Sequence, residues 1–225
     1  TDASSARAIT VLDPGGVVPL SAITQASGGA IHCLALATNG QVYACGYDGG
    51  FGTLGDGAHP SDYFTNLPVA IPTLAPGSGV IQVEAGFYAS FALLDTGTLL
   101  SWGANVFGSQ LGDPGAGFVR DVPGTIPGVV GCRAISAGNF HAIALLQNGS
   151  VLAWGRNDTA QLGDGTFVDR PSPVVVQGLS SAIAISAGGN MIDLPIYPQP
   201  GLEAHSLALL ADGTVRAWGS TTRGQ

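Results

Sequence analysis

Lysine is absent from this chain: all seven basic residues are arginine, set against fifteen acidic ones for a formal net charge of −8. Only 10% of the residues are charged, where a globular chain ordinarily has about a quarter. Such a composition offers no positive patch for polyanions, which excludes DNA, RNA and anionic membranes as expected partners. Cysteine is scarce, at three residues. No His or Cys cluster stands at ligand spacing, so neither a metal nor a cofactor is expected. Long apolar runs are missing too, and no segment has the length of a membrane span. The stretch TDASSARAITVLD at the start has no basic region leading into an apolar one, so no uncleaved secretion signal is read there. Glycine is abundant, with 35 residues, beside 14 prolines and a 45% hydrophobic fraction that can build a sizeable core.

The apolar residues come in short runs, IHCLALA, SFALL, HAIALL and HSLALL, each followed by a turn dipeptide. That is the pattern of short strands in an all-β chain. The runs also repeat. Segments 31–57, 88–113, 140–165 and 204–225 align, and the turn glycines Gly40, Gly97, Gly149 and Gly213 each precede by six residues Gly46, Gly103, Gly155 and Gly219. The intervals between units are 57, 52 and 64 residues, the size of one blade in a repeat protein. The units are drawn as 1–57, 58–113, 114–165 and 166–225.

The repeat disposes of a tempting motif. Gly50, Gly52 and Gly55 in YDGGFGTLGDG spell G-x-G-x-x-G, which in a dinucleotide-binding fold sits between a strand and a helix. The aligned NVFGSQLGD and NDTAQLGDG lack the pattern, and AHPSDYFTNLPVAIP follows with prolines and no helical period. These glycines are expected to supply positive-φ turns.

Each unit reads as a hairpin closed by a three-residue loop ending in Gly, such as Ala211-Asp212-Gly213, a type I turn with a bulge. That loop sets the register. Trp102 should face Ser90, Trp154 Ala142 and Trp218 Ser206, a large ring opposite a small residue each time. In the first hairpin the same positions hold Cys33 and Cys45. This suggests either a cross-strand disulfide or two buried thiols. Upstream strands read ITQASGG, IQVEAGF, CRAISAGNF and AIAISAGGN, and Pro-containing stretches supply a fourth, outer strand per unit.

The third unit, SAGNFHAIALLQNGSVLAWGRNDTAQLGDGTFVDRPSPVVV at 136–176, resembles the repeat of the regulator of chromosome condensation family in its A-G, His, apolar run, N-G turn, W-G-x-N and Q-L-G-D-G. The resemblance covers nearly the whole chain and implies a β-propeller of four-stranded blades, commonly seven to a ring. Ala89 departs from the His and Cys45 from the Trp. Four units fall short of seven, so the rest of the ring is expected from further sequence or from another copy. Family members are mostly binding platforms. The founding role, guanine nucleotide exchange on a small GTPase with chromatin contact, is not expected of an acidic chain without a basic arm. Other relatives are secreted bacterial proteins, one of them a β-lactamase inhibitor. The missing lysine and the cysteine pair place this chain in that extracellular setting.

No catalytic set emerges. His32, His141 and His205 hold one repeated position, as scaffold residues do, and are expected to hydrogen-bond a loop. His59 has no nucleophile signature near it. Asp56, Asp113 and Asp164 recur singly, blade by blade, and are read as turn caps rather than ligands. Asn148-Gly149-Ser150 and Asn157-Asp158-Thr159 match the short glycosylation sequon. The irregular feature lies in the fourth unit. Elsewhere three residues separate the A-G glycine from the His position, but Gly188 precedes His205 by seventeen. The insert brings Met191, Ile192, Leu194, Ile196 and Tyr197 with three prolines, and inserts in repeat proteins often map to the binding face. The expectation is a non-enzymatic propeller that binds another protein or copies of itself. Recognition or inhibition of a foreign protein is the alternative, and a carbohydrate-binding propeller ranks third.

Overall fold

The computed structural model describes residues 10–58, 63–106, 109–191 and 202–220. Fifteen strands form four antiparallel sheets. The first holds β1 (Ile23–Gly28), β2 (His32–Ala37), β3 (Val42–Tyr47) and β4 (Phe64–Ala70). The second holds β5 (Val80–Ala85), β6 (Ala89–Leu94), β7 (Leu99–Ala104) and β8 (Val119–Thr125). The third holds β9 (Cys132–Ala137), β10 (His141–Leu146), β11 (Val151–Gly155) and β12 (Arg170–Val175). The fourth has three strands among the described residues: β13 (Ala182–Met191), β14 (Leu202–Leu210) and β15 (Val215–Gly219). Within each sheet the strands follow chain order, so every connection is a simple antiparallel return, the up-and-down blade of a propeller.

The sheet boundaries fall later than the sequence units drawn above. Strand β4, with Pro68, pairs with β3, and β8, with Pro123, pairs with β7. Residues 64–70 therefore complete the first sheet instead of opening unit 58–113. The reason is local: a strand entering from the connection after W-G finds the free edge of the hairpin it has just left. Only its far side stays open, where a missing proline N–H costs nothing.

The hairpin registers are those read from the turns. Trp102 faces Ser90, Trp154 faces Ala142, Trp218 faces Ser206 and Cys45 faces Cys33. Alternation then sends Trp and Ser toward the preceding sheet and the apolar residues beside them toward the following one. Three joint cores result. Leu34, Val42, Leu54 and Trp102 meet in the first, Phe91, Leu99, Leu111 and Trp154 in the second, and Ile143, Val151 and Leu162 with Trp218 in the third.

The innermost strands β1, β5, β9 and β13 are stitched side by side. Gln25 bonds both backbone groups of Val83, at 3.0 and 2.9 Å, and Gln82 does the same to Ile135, at 2.8 and 3.1 Å. Ser27 accepts the Ala85 N–H and Ser136 the Ala187 N–H, each at 3.0 Å. Glu84 takes the serine's place between them and accepts the Ala137 N–H, and burial pushes its carboxyl above the usual range. These polar clamps satisfy backbone groups that an inner strand would otherwise leave unpaired.

The two ends of the stack differ from its interior. Val42, Leu99 and Val151 are 0% exposed, but the equivalent Val215 is 60% exposed. Ser90, Ala142 and Ser206 are likewise 0% exposed, while the equivalent Cys33 is exposed. The first and last sheets thus each present one bare joint face.

Candidate protein-contact face

Antiparallel strands return alternately to two ends of a sheet, and this sorts the connections. One end carries the hairpin turns at 38–41, 95–98, 147–150 and 211–214. The other carries the A-G turns before β2, β6 and β10, the long connections between the third and fourth strands, and the insert between β13 and β14. All the unusual sequence collects at this second end.

Its loops rest on a repeated polar scaffold. Thr53 O accepts the Trp102 indole N–H at 3.0 Å and the Ser90 hydroxyl at 3.0 Å. Gln161 O accepts from Trp218 and Ser206, both at 2.9 Å, and Gln110 O accepts from Trp154 at 3.1 Å. The histidines enter through the serines: His32 Nε2 lies 2.7 Å from Ser90 Oγ and His141 Nε2 2.9 Å from Ser206 Oγ. Each serine spends its one proton on the loop carbonyl, so it must accept from the imidazole, which fixes the Nε2–H tautomer. The expected loop contact of the histidine is therefore relayed through a side chain of the next blade. Burial lowers the pKa of both histidines to about 4. Buried, neutral and occupied with Ser, they are joint fittings and offer no accessible base.

Gly55 of the G-x-G-x-x-G stretch and its equivalents in the next two units have a structural use as well. Gly55, Gly112 and Gly163 all have positive φ, at 70°, 69° and 63°. A Cβ on Gly55 would stand 2.5 Å from Trp102 Nε1, and on Gly112 2.8 Å from Trp154 Nε1. The next blade's indole packs flat against the bare glycine. The next described element after this loop is β4, and among the described residues no α-helix follows the glycines as phosphate binding at a helix N-terminus would require.

The recurrent aspartates cap turns as read. Asp56 accepts the Ala58 N–H at 3.0 Å, Asp113 the Gly115 N–H at 2.9 Å and Asp164 the Thr166 N–H at 2.9 Å. Two of them also pair with arginine, Asp113 with Arg120 and Asp164 with Arg170. Asn157, part of one sequon, is 0% exposed and donates to Asp164, Thr166 and Val168, so that match is structural. Among the described residues no three His, Cys, Asp or Glu side chains gather as a metal site.

The end face bears aromatic rings in two sets. Tyr47, Phe51, Tyr88, Phe87 and Phe140 form a continuous chain of ring contacts, with centroids 4.4 to 6.4 Å apart. Phe64, Phe118 and Phe167, one in each of the first three blades, are 65%, 61% and 72% exposed. The same face is acidic. Asp56, Asp113, Asp158, Asp164 and Asp169 lie in its loops, while Arg120, Arg156 and Arg170 are ion-paired with Asp113, Asp158 and Asp164.

The insert also rises here. The other inner ladders stop at Gly28↔Cys33, Ala85↔Ser90 and Ala137↔Ala142. Strands β13 and β14 go on past Ala187↔Ser206 through Gly188↔His205, Gly189↔Ala204, Asn190↔Glu203 and Met191↔Leu202. At the rise of a strand this carries the pair roughly 13 Å beyond its neighbours. Met191 ends β13, and Ile192, Leu194, Ile196 and Tyr197 lie outside the described residues, as do His59 and Phe107. Cys33 and Cys45 are opposed as expected, Cys33 exposed and Cys45 half-buried, with no bond between their sulfurs.

Stacked four-stranded sheets, their joints filled by an indole and a leucine per blade, define this as a β-propeller repeat protein. Models of the regulator of chromosome condensation (RCC1) repeat match residues 148–192 in one form and 80–109, 132–161 and 203–225 in another. The chain belongs to the RCC1 repeat family. It is similar to Protein pim1 of Schizosaccharomyces pombe, 30% identical over 222 residues that make up 89% of this chain and 38% of pim1. A stretch of the human E3 ubiquitin-protein ligase HERC2 is 37% identical over 148 residues, 65% of this chain and 3% of that protein. The structure of human WBSCR16 superposes with a TM-score of 0.73 at 26% identity, covering 90% of this chain and 48% of that one. Prp20p of Saccharomyces cerevisiae, described with its binding to Gsp1p and histones, shares the fold at a TM-score of 0.66 and 22% identity, over 88% of this chain and 44% of that one. The chain thus spans less than half the length of each of these proteins.

Proposed function

We propose that this chain is a non-catalytic protein-binding platform and that its partner docks on the loop face just described. The observation that carries this is coincidence in space. The one extended hairpin, the exposed Phe64, Phe118 and Phe167, and the aspartate-rich loops occupy the same end of the stack. Exposed apolar rings within a polar field mark protein contact sites. The described loops of this face carry five aspartates, Asp56, Asp113, Asp158, Asp164 and Asp169, against the three arginines Arg120, Arg156 and Arg170, so its net charge is negative and the partner's surface is basic. Trp102 and Trp154 are buried in the joints and Trp218 is partly buried against the third, which speaks against the stacking platform that a carbohydrate-binding reading needs. The relatives named above are eukaryotic, and the extracellular bacterial setting expected from composition gains no support from them. The test is a binding titration on the partner recovered by crosslinking, at rising ionic strength. Affinity should fall with salt, and alanine replacement across 191–197 or of the three phenylalanines should weaken it. Undiminished binding by both variants overturns the proposal.

Self-assembly is the second reading, and the bare end faces favour it. Ile185, Leu207, Leu209 and Val215 line an apolar cavity of about 210 Å³ on the last sheet. These faces continue the joints between blades, so further blades, of this chain or of a second copy, would seat on them. A strict monomer in sedimentation at high concentration removes this reading.

A further inference from the structure

The recurrent loop aspartates are oriented alike but not occupied alike. Asp56, Asp113 and Asp164 each turn Oδ1 onto the N–H two residues on, in Ala58, Gly115 and Thr166. That orientation leaves Oδ2 free to reach the outer strand. In the second and third blades it meets a guanidinium there: Asp113 Oδ2 pairs with Arg120 Nη2, and Asp164 Oδ2 lies 2.7 Å from Arg170 Nε. Among the described residues Asp56 Oδ2 meets no cation. We infer that Asp56 is a guanidinium-receiving site, on which the basic partner seats an arginine side chain. This anchor belongs to the docking face proposed above and depends on that reading.

Three observations meet here. The first is register. Arg120 and Arg170 stand on the outer strand opposite Gly103 and Gly155, and Thr65 holds the same station opposite Gly46. Beside it, Ala44 facing Val69 matches Ala153 facing Val174 in the third blade. The first blade thus repeats the third at these ladder positions except for the arginine. The second is the substitute. Thr65 carries no charge, and its hydroxyl is turned to Leu67, donating to the carbonyl at 2.7 Å and accepting the N–H at 3.2 Å. The third is placement. Asp56 sits at the joint between the first two sheets, where the next residue's N–H, that of Gly57, donates to Asp121 O at 3.0 Å. Its setting therefore does not depend on what lies beyond the first or last sheet. The exposed Val122 adjoins it, 3.5 Å from where a Cβ on Gly57 would stand. A carboxylate beside an apolar side chain suits arginine, whose guanidinium bonds the acid while its methylene stem covers the apolar group.

The experiment has two arms, both on the full chain. In cis, Thr65→Arg should rebuild the pair of the sister blades. It should raise the melting temperature, and by more than the same substitution does in an Asp56→Asn background. Equal shifts in the two backgrounds overturn the site, because Asp56 would then not face the station. In trans, a labelled hexa-arginine peptide is titrated at low ionic strength. Asp56→Asn keeps an acceptor for the Ala58 N–H and should weaken binding about fivefold, the upper end for an exposed ion pair. Asp169→Asn removes the same charge from the same face and should weaken it by less than about twofold, through the screened field alone. Thr65→Arg, with the site filled internally, should weaken it as Asp56→Asn does. Equal losses from Asp56→Asn and Asp169→Asn overturn the site, as does wild-type protein that leaves the peptide unbound. Thermal melts of every variant separate lost binding from lost folding. The docking reading fails separately, on partner binding that survives the phenylalanine and 191–197 replacements.

Discussion

Two kinds of joint hold the blades together. Between the first and second sheets, and between the third and fourth, a histidine meets a serine: His32 with Ser90 and His141 with Ser206. Between the second and third sheets the same stations hold Ala89 and Ala142, both buried, and Phe91 stands edge-on to Trp154 at 6.0 Å. Both partners change together, from a polar pair to an apolar one. A buried imidazole without its acceptor, or a serine without its donor, would leave a polar atom unsatisfied. The comparison teaches that the unit of design is the joint and not the blade, since each blade contributes half of two different contacts.

The largest test removes what the joints share. Trp154→Ala should cost about 3–5 kcal/mol by denaturant unfolding, because it empties the second joint and removes the indole N–H that Gln110 O accepts. If Trp102→Ala costs as much, the indole matters equally in a joint that also has its His–Ser bond. Next, Gly112→Ala forces a side chain into positive φ and toward the Trp154 indole, and should cost roughly 1–3 kcal/mol. The joint types themselves separate in a mutant cycle. Ser90→Ala should cost about 1–3 kcal/mol. Ala89→His and Ala142→Ser should each destabilise alone, and the double variant should recover part of the loss, with a coupling of about 1 kcal/mol. Purely additive losses would break the comparison.

Acid should separate the joints as well. His32 and His141 have folded-state pKa values of about 4 against the ordinary 6.5. Between those values the unfolded chain binds more protons, so stability is complete above about pH 6.5 and declines as the pH falls toward 4. Thermal melts across that range should show the decline, and replacing both histidines should flatten it. The smallest effect is expected outside the joints. Replacing Phe64, Phe118 and Phe167 with serine should alter stability by no more than about 0.5 kcal/mol per site while reducing partner affinity.

Much of the joint was legible in the chain. Turn chemistry fixes the hairpin register in Ala211-Asp212-Gly213 and its equivalents, because a left-handed glycine allows one closing geometry, and from it came the facing of Trp102 with Ser90 and of Cys33 with Cys45. The outer strand was assigned to the wrong side of its boundary, since pairing of β4 with β3 depends on which edge is free. The histidine relay was missed although its signal was present: His, Ala, His at one station and Ser, Ala, Ser one blade later. The Trp–Ser reading looked within hairpins, and this correspondence runs between them.

Local chemistry thus determined the strands, their turns and the repeat, because these depend on alternation and on φ preferences within a few residues. It also marked residues 191–197 as an exception. Only the tertiary structure decided which exceptions share a face and that His32 finds Ser90 fifty-eight residues away. Burial and contact between blades arise from packing whole sheets, and no short window of sequence contains both surfaces of a joint.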